Sequence, residues 1–136
     1  MSEVNIRRAT SEDLPDVLNI LDGAALRVDV ARLKGAIENT EVLLATAGTE
    51  PNERSLGVAV LDGDEITSIA VRRRRRDQRI GTKLVERAKR DRTKLFATFE
   101  PGVVPFWKSV GFDIEPVEAE SRFRGVWHDT ASRPVR

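Results

Sequence analysis

Five consecutive arginines, Arg72 to Arg76, stand between an apolar run ending in Ile69-Ala70-Val71 and a helical pattern beginning near Ile80. A strand, a tight basic turn and a helix start make an anion site, because unpaired N–H groups at a helix N-terminus point outward and the helix dipole favours negative charge there. The chemistry this stretch suits is the holding of phosphate, and the expected ligand is the pyrophosphate of a cofactor. Other chemistries are excluded by composition. The chain has no cysteine, which removes disulfides and thiolate catalysis, and a single histidine, His128, which removes a Cys/His metal centre. His128 lies near the chain end and reads as a surface residue rather than a catalyst.

The 136 residues are enough for one domain with a real core, and 40% hydrophobic content fits a soluble globular protein. The 23 basic and 22 acidic residues nearly cancel, so any electrostatic message has to come from the arginine cluster. The first residues, Met-Ser-Glu-Val-Asn, carry no apolar signal region, and no run approaches the roughly 18 apolar residues of a membrane span, so a cytoplasmic protein without a membrane partner is expected.

The elements that must position the arginine turn follow from periodicity. Val4 and Ile6 alternate with polar residues up to Arg8, predicting a short strand. Thr10 with Asp13 reads as a capping box, and Leu14, Val17, Leu18 and Leu21 share one helical face that ends at Gly23. Asp29 caps a second helix whose thin stripe of Val30, Leu33 and Ile37 predicts a helix lying on the surface. Val42 to Ala47 is a strand, Gly48 to Arg54 a loop, and Leu56 to Leu61 a strand apolar on both faces, which belongs near the middle of a sheet. Asp62-Gly63 predicts a two-residue hairpin that lays Glu65 to Val71 antiparallel beside it. After the arginines, a helix buries Ile80, Leu84, Val85 and Ala88 and exposes Lys83, Arg87 and Arg90. Leu95 to Phe99 is a strand broken at Pro101-Gly102; Val103, Phe106, Trp107 and Val110 mark a short helix capped by Gly111. Phe112 to Ile114 and Ser121 to Trp127 close the sheet, with Phe123 and Trp127 on one face, and residues from Asp129 onward form a polar, frayed tail. A domain over residues 1–128 with a tail over 129–136 is expected.

At this point the residues resemble the GNAT superfamily of N-acetyltransferases. That family carries Arg/Gln-x-x-Gly-x-Gly/Ala after its fourth strand, and Arg76-Asp77-Gln78-Arg79-Ile80-Gly81 lies in register with it. Its Phe-Tyr-x-x-x-Gly-Phe motif is echoed by Phe106-Trp107-Lys108-Ser109-Val110-Gly111-Phe112. The order of elements matches over nearly the whole chain. The resemblance implies an α/β (α+β) domain, a mixed, mostly antiparallel sheet of six or seven strands flanked by about four helices.

It implies further that acetyl-CoA is the co-substrate and no metal is needed. Main-chain N–H groups of Asp77, Gln78, Arg79, Ile80, Gly81 and Thr82, in the motif opened by Arg76, would bind its pyrophosphate, and bulk at Gly81 would crowd that turn. The backbone of Ile69, Ala70 and Val71 would pair with the pantetheine arm as an extra strand. Phe106 and Trp107 would pack into the core or wall the acyl pocket. Glu100 falls where the family sheet splays to admit both substrates; a partly desolvated carboxylate there can act as a base. Glu65 matches a site where some members keep a catalytic glutamate, against an ordinary exposed hairpin residue. Two positions depart from the pattern. Arg79 replaces a glycine, and its side chain either obstructs the turn or, the favoured reading, swings outward and adds a charge-assisted phosphate contact. Trp107 replaces the tyrosine that protonates the leaving thiolate in many members, and an indole N–H is no acid near neutral pH. The expected activity is acetyl transfer to a primary amine, on a small molecule or a protein, by a monomer or homodimer. Two rivals remain: an acyl-CoA-binding regulatory domain without turnover, and a nucleic-acid module using Arg72 to Arg76, disfavoured by the near-neutral total charge.

Overall fold

A computed structural model describes residues 4–24, 29–75, 78–117 and 122–129. Strand β1 (Val4–Arg8) leads through a short 3-10 turn into α1 (Leu14–Gly23) and α2 (Val30–Glu38). Then come β2 (Val42–Ala47), β3 (Arg54–Asp62), β4 (Glu65–Val71), α3 (Ile80–Lys89), β5 (Lys94–Phe99), α4 (Val104–Ser109), β6 (Asp113–Val117) and β7 (Arg122–His128). The seven strands make one sheet in the order β1-β2-β3-β4-β5-β7-β6, antiparallel throughout except between β4 and β5.

The predicted caps form at the 3-10 turn that leads into α1 and at the start of α2. The Thr10 N–H donates to the Asp13 carboxylate at 2.7 Å, and the Arg32 N–H donates to Asp29 at 3.2 Å. Alternation along the strands splits the core into two layers. Val42, Leu44, Val58 and Ala70 face α1 and α2 and pack with Val17, Ile20, Leu21, Leu33 and Ile37. On the other side Leu43, Ala45, Ala59 and Leu61 pack with Ile80, Leu84, Val85 and Ala88 of α3, Trp107 of α4, and Leu95, Ala97 and Phe99 of β5. As the apolar pattern of Leu56 to Leu61 requires, β3 is flanked by strands on both edges and covered on both faces.

Five local expectations shift. The ladder pairs Asp62 with Glu65, so the two turn residues are Gly63-Asp64, one place later than Asp62-Gly63. Arg54 and Ser55 already pair with β2, which shortens the predicted loop. Val30 is exposed at the first position of α2, and Val103 is exposed because α4 begins one residue later, at Val104, which packs on the core in its place. Arg87 is half-buried rather than exposed, since its guanidinium turns back to Asp91 at 2.9 Å. Asp129 is tied down by its N–H to the Thr93 carbonyl at 2.8 Å; Ser121 and the tail from residue 130 lie outside the described residues.

Candidate functional site

The site is built by a strand that leaves its neighbour. Along β3 and β4 the register changes between Val60, opposite Ser68, and Leu61, opposite Ile66, which leaves Thr67 as an extra residue in β4. Such a bulge bends the strand that carries it. β4 and β5 share only one paired position, Glu65 with Phe96, and part beyond it, while β5 stays paired with β7 through to Phe99. The free edge of β4 can be identified. The Arg72 N–H donates to the Leu56 carbonyl at 2.8 Å, and alternate residues of an antiparallel ladder bond to opposite sides. Ala70 therefore bonds toward β3, while Ile69 and Val71 turn their N–H and C=O groups into the gap. Of the three residues expected to lend main chain to an extended ligand, two offer it; Ala70 is spent in the ladder and buried under α1.

The first turn of α3 stands at the mouth of this gap, held there by two close approaches. A Cβ on Gly57 would lie 3.1 Å from Ile80 Cγ2 and 3.3 Å from Val71 Cγ2, so the missing side chain lets the helix start settle on the sheet. A Cβ on Gly81 would meet the Phe106 ring at 3.2 and 3.3 Å. Gly81 thus makes room for the Phe106 ring of α4. Arg79 caps the helix with φ 62° and ψ 22°, the left-handed conformation that glycine adopts freely, and its carbonyl accepts the first helical bond from Lys83 at 3.0 Å. Its side chain is exposed along the outer face of α3 with Thr82 and Lys83. Gln78 is exposed, Ile80 is buried and Thr82 is half-buried, while Arg76 and Asp77 lie outside the described residues.

No acidic residue sits in the first turn of α3, where one would normally offset the dipole. Upstream, Arg72 serves the fold: its guanidinium donates to the Ser55 carbonyl and to Asn19 Oδ1, both at 2.7 Å, and so ties the end of β4 to β3 and α1. Arg73 and Arg74 are exposed and border a hollow of about 820 Å³ together with Asp16, Asn19, Asp22 and Glu53.

Trp107 is 3% exposed, stacked on Phe99 at 5.2 Å and met edge-on by Phe106 and Phe112, so the tyrosine position of the motif is filled by a core indole. Phe106 is half-buried against Gly81. Glu100 follows β5 where it has parted from β4, but its side chain is exposed rather than partly desolvated. Glu65 is half-buried at the closed end of the gap opposite Phe96, and Glu100 lies four residues beyond Phe96, about 13 Å by strand rise, so the two carboxylates are not brought together. His128 is exposed and pairs with Lys94.

Sequence reasoning missed the Thr67 bulge and an ion network behind the sheet edge. Arg7 donates to Asp13 at 2.8 and 3.0 Å and to Glu53 at 2.8 and 3.2 Å, joining β1, the turn before α1 and the β2–β3 connection. The hydrogen bonds from Arg7 hold both carboxyls below their ordinary range, and the two acids in turn raise the guanidinium. An isolated Gly in a strand pattern, Gly57, was the one available signal for the close helix seat.

No family model matches the chain, and no curated protein sequence does either. Solved structures do match. The loading GNATL domain of CurA from Lyngbya majuscula is 12% identical with a TM-score of 0.74, the match covering 95% of this chain and 99% of that one. Ard1 from Thermoplasma volcanium is 16% identical at TM-score 0.71, over 92% and 96%. Arabidopsis thaliana Naa50, in complex with the bisubstrate analogue CoA-Ac-MVNAL, is 16% identical at TM-score 0.70, over 90% and 95%. The fold is that of the GNAT superfamily: one domain, a seven-stranded mixed sheet and four helices.

Proposed function

We propose that the chain is an acetyl-CoA-dependent N-acetyltransferase that moves an acetyl group onto a primary amine by direct transfer within a ternary complex. The observation that carries this reading is the parting of β4 from β5 beside the start of α3. An extended amide-bearing arm laid in the gap can bond to Ile69 and Val71. A diphosphate at its end then reaches first-turn N–H groups of α3, with no acid in that turn to repel it and with Arg79, Arg73 and Arg74 exposed nearby. The fit is to a long ligand with an anionic end. That Naa50 holds a CoA-linked acetyl peptide in the same fold supports the assignment.

In the step proposed, the amine nitrogen attacks the thioester carbonyl carbon, the C–S bond breaks and the thiolate of CoA leaves. Glu100, at the open end of β5, accepts the proton that the amine loses, directly or through water. Glu65 has no part in this scheme. The absence of cysteine excludes a cysteine-linked acyl-enzyme, which favours the direct route. Protonation of the thiolate falls to solvent, because Trp107 is buried and cannot act as an acid. That same observation favours one second reading, a coenzyme-binding domain without turnover.

Acetyl-CoA at about 100 times its dissociation constant should stabilise the fold by about 2.7 kcal/mol, visible as a rise in melting temperature. No rise at millimolar coenzyme contradicts both readings. An acetyl-CoA-dependent amine panel followed by mass detection separates them: an acetylated product supports the enzyme, and coenzyme binding without thiol release supports the binding domain.

A further inference from the structure

We propose that the exposed face of α3 is a docking surface for the phosphate backbone of a nucleic acid. The near-zero net charge conceals a separation. Residues 72–94 hold 12 of the 23 basic residues and only three of the 22 acidic ones, so the remainder of the chain is strongly acidic. The objection to a nucleic-acid partner drawn from total charge does not apply to this face.

Arg79, Lys83, Arg87 and Arg90 project along one side of α3 and, with Thr82 and Glu86 of the helix and Val4, Asn5 and Ile6 of β1, line a hollow of about 480 Å³ between the helix and the edge strand. Helix rise spaces successive cations by about 5–6 Å and carries the row about 16 Å. Arg79 stands at the turn assigned above to the coenzyme, but Lys83, Arg87 and Arg90 continue beyond it. The acids near the row are already engaged. Glu86 accepts from Lys89 at 3.0 Å, and Asp91 is shared by Arg87 at 2.9 Å and Arg8 at 3.3 Å. Among the described residues, neither Lys83 nor Arg90 forms an ion pair, and both are exposed.

Like charges four residues apart, Arg79 with Lys83 and Lys83 with Arg87, destabilise a helix, and a polyanion laid along the row relieves that repulsion. An evenly spaced straight row suits a regular polyelectrolyte better than an irregular acidic peptide. The arginine forks suit phosphate, and the lining contains no aromatic side chain on which bases could stack. Binding should therefore be to the backbone and independent of sequence.

The test uses the full chain without coenzyme and measures anisotropy of a labelled duplex DNA and a labelled single-stranded RNA of about 20 nucleotides, at salt from about 50 to 200 mM. Three phosphate contacts predict a log–log salt slope of about −2.7 on the duplex. K83E/R90E should weaken binding at least about tenfold and flatten the slope by about 2. Neither residue belongs to the coenzyme turn, so the acetyl-CoA melting shift of the variant should be unchanged, which also reports folding; K83Q/R90Q serves if charge reversal unfolds the chain. Tighter binding of either probe supports the proposal and identifies the kind of nucleic acid. No binding at low salt, affinity untouched by both double variants, or polyglutamate competing as well as the duplex would overturn it.

Discussion

Substitution of Gly81 separates two explanations of why a glycine stands in the second turn position of the motif. In the structure its missing Cβ faces the edge of Phe106 at 3.2 Å, and that ring in turn meets Trp107, which stacks on Phe99. Alanine asks the ring to yield by a few tenths of an ångström and gains up to about 1 kcal/mol of helix propensity, so its net effect on stability should stay within about 1 kcal/mol. Valine adds two more methyls to the same contact and should cost about 1–3 kcal/mol by overpacking. At about 4 °C per kcal/mol for a domain of this size, that is a loss of about 4–12 °C in melting temperature. The N–H groups of the turn are retained in both variants, so acetyl-CoA affinity, measured by calorimetry below the melting range, should change far less than stability. A valine variant with an unchanged melting temperature and a coenzyme affinity reduced many-fold would refute the reasoning, since the Cα would then face phosphate rather than the ring.

Arg79→Gly should move stability and affinity in opposite directions. Release from left-handed backbone contributes about 1–2 kcal/mol, against about 0.5–1 kcal/mol of added unfolded-state freedom, so the variant should melt slightly higher. Loss of a charge-assisted phosphate contact should weaken acetyl-CoA by about tenfold in calorimetry. Arg7→Ala should cost about 1–2 kcal/mol at neutral pH, the partly exposed setting tempering a strong geometry. Asp13 and Glu53 have lowered folded-state values, so their contribution is present above the unfolded carboxylate range near pH 4 and lost as pH falls below it. Urea melts should therefore show the two proteins converging in acid; a gap that persists or widens there contradicts the network. Glu100→Gln should lower turnover more than coenzyme affinity, and unchanged turnover would exclude Glu100 as the base.

The order of elements was legible because it depends on local patterns: the Thr10/Asp13 cap, the doubly apolar run Leu56 to Leu61, and the stripe Ile80, Leu84, Val85 and Ala88 all form as read. The basic turn between β4 and α3 was legible for the same reason. What escaped depends on pairing between distant segments. A bulge at Thr67 is a relation between two strands, and nothing in Glu65 to Val71 marks which residue will be left without an opposite. Arg7 meets Glu53 across 46 positions, a contact no periodicity predicts. Gly81 illustrates a third limit, because a motif says that a glycine is needed without saying which neighbour requires it.

The central claim is that main-chain groups of Ile69, Val71 and the first turn of α3 receive acetyl-CoA. The most direct test is an NMR titration of the uniformly labelled protein with acetyl-CoA, following backbone amides. The largest shifts should fall on Ile69, Val71 and Arg79 to Thr82, with Ala70, bonded toward β3, moving less. Amides in this set that stay still at millimolar acetyl-CoA, or shifts confined to another part of the sheet, would contradict the account.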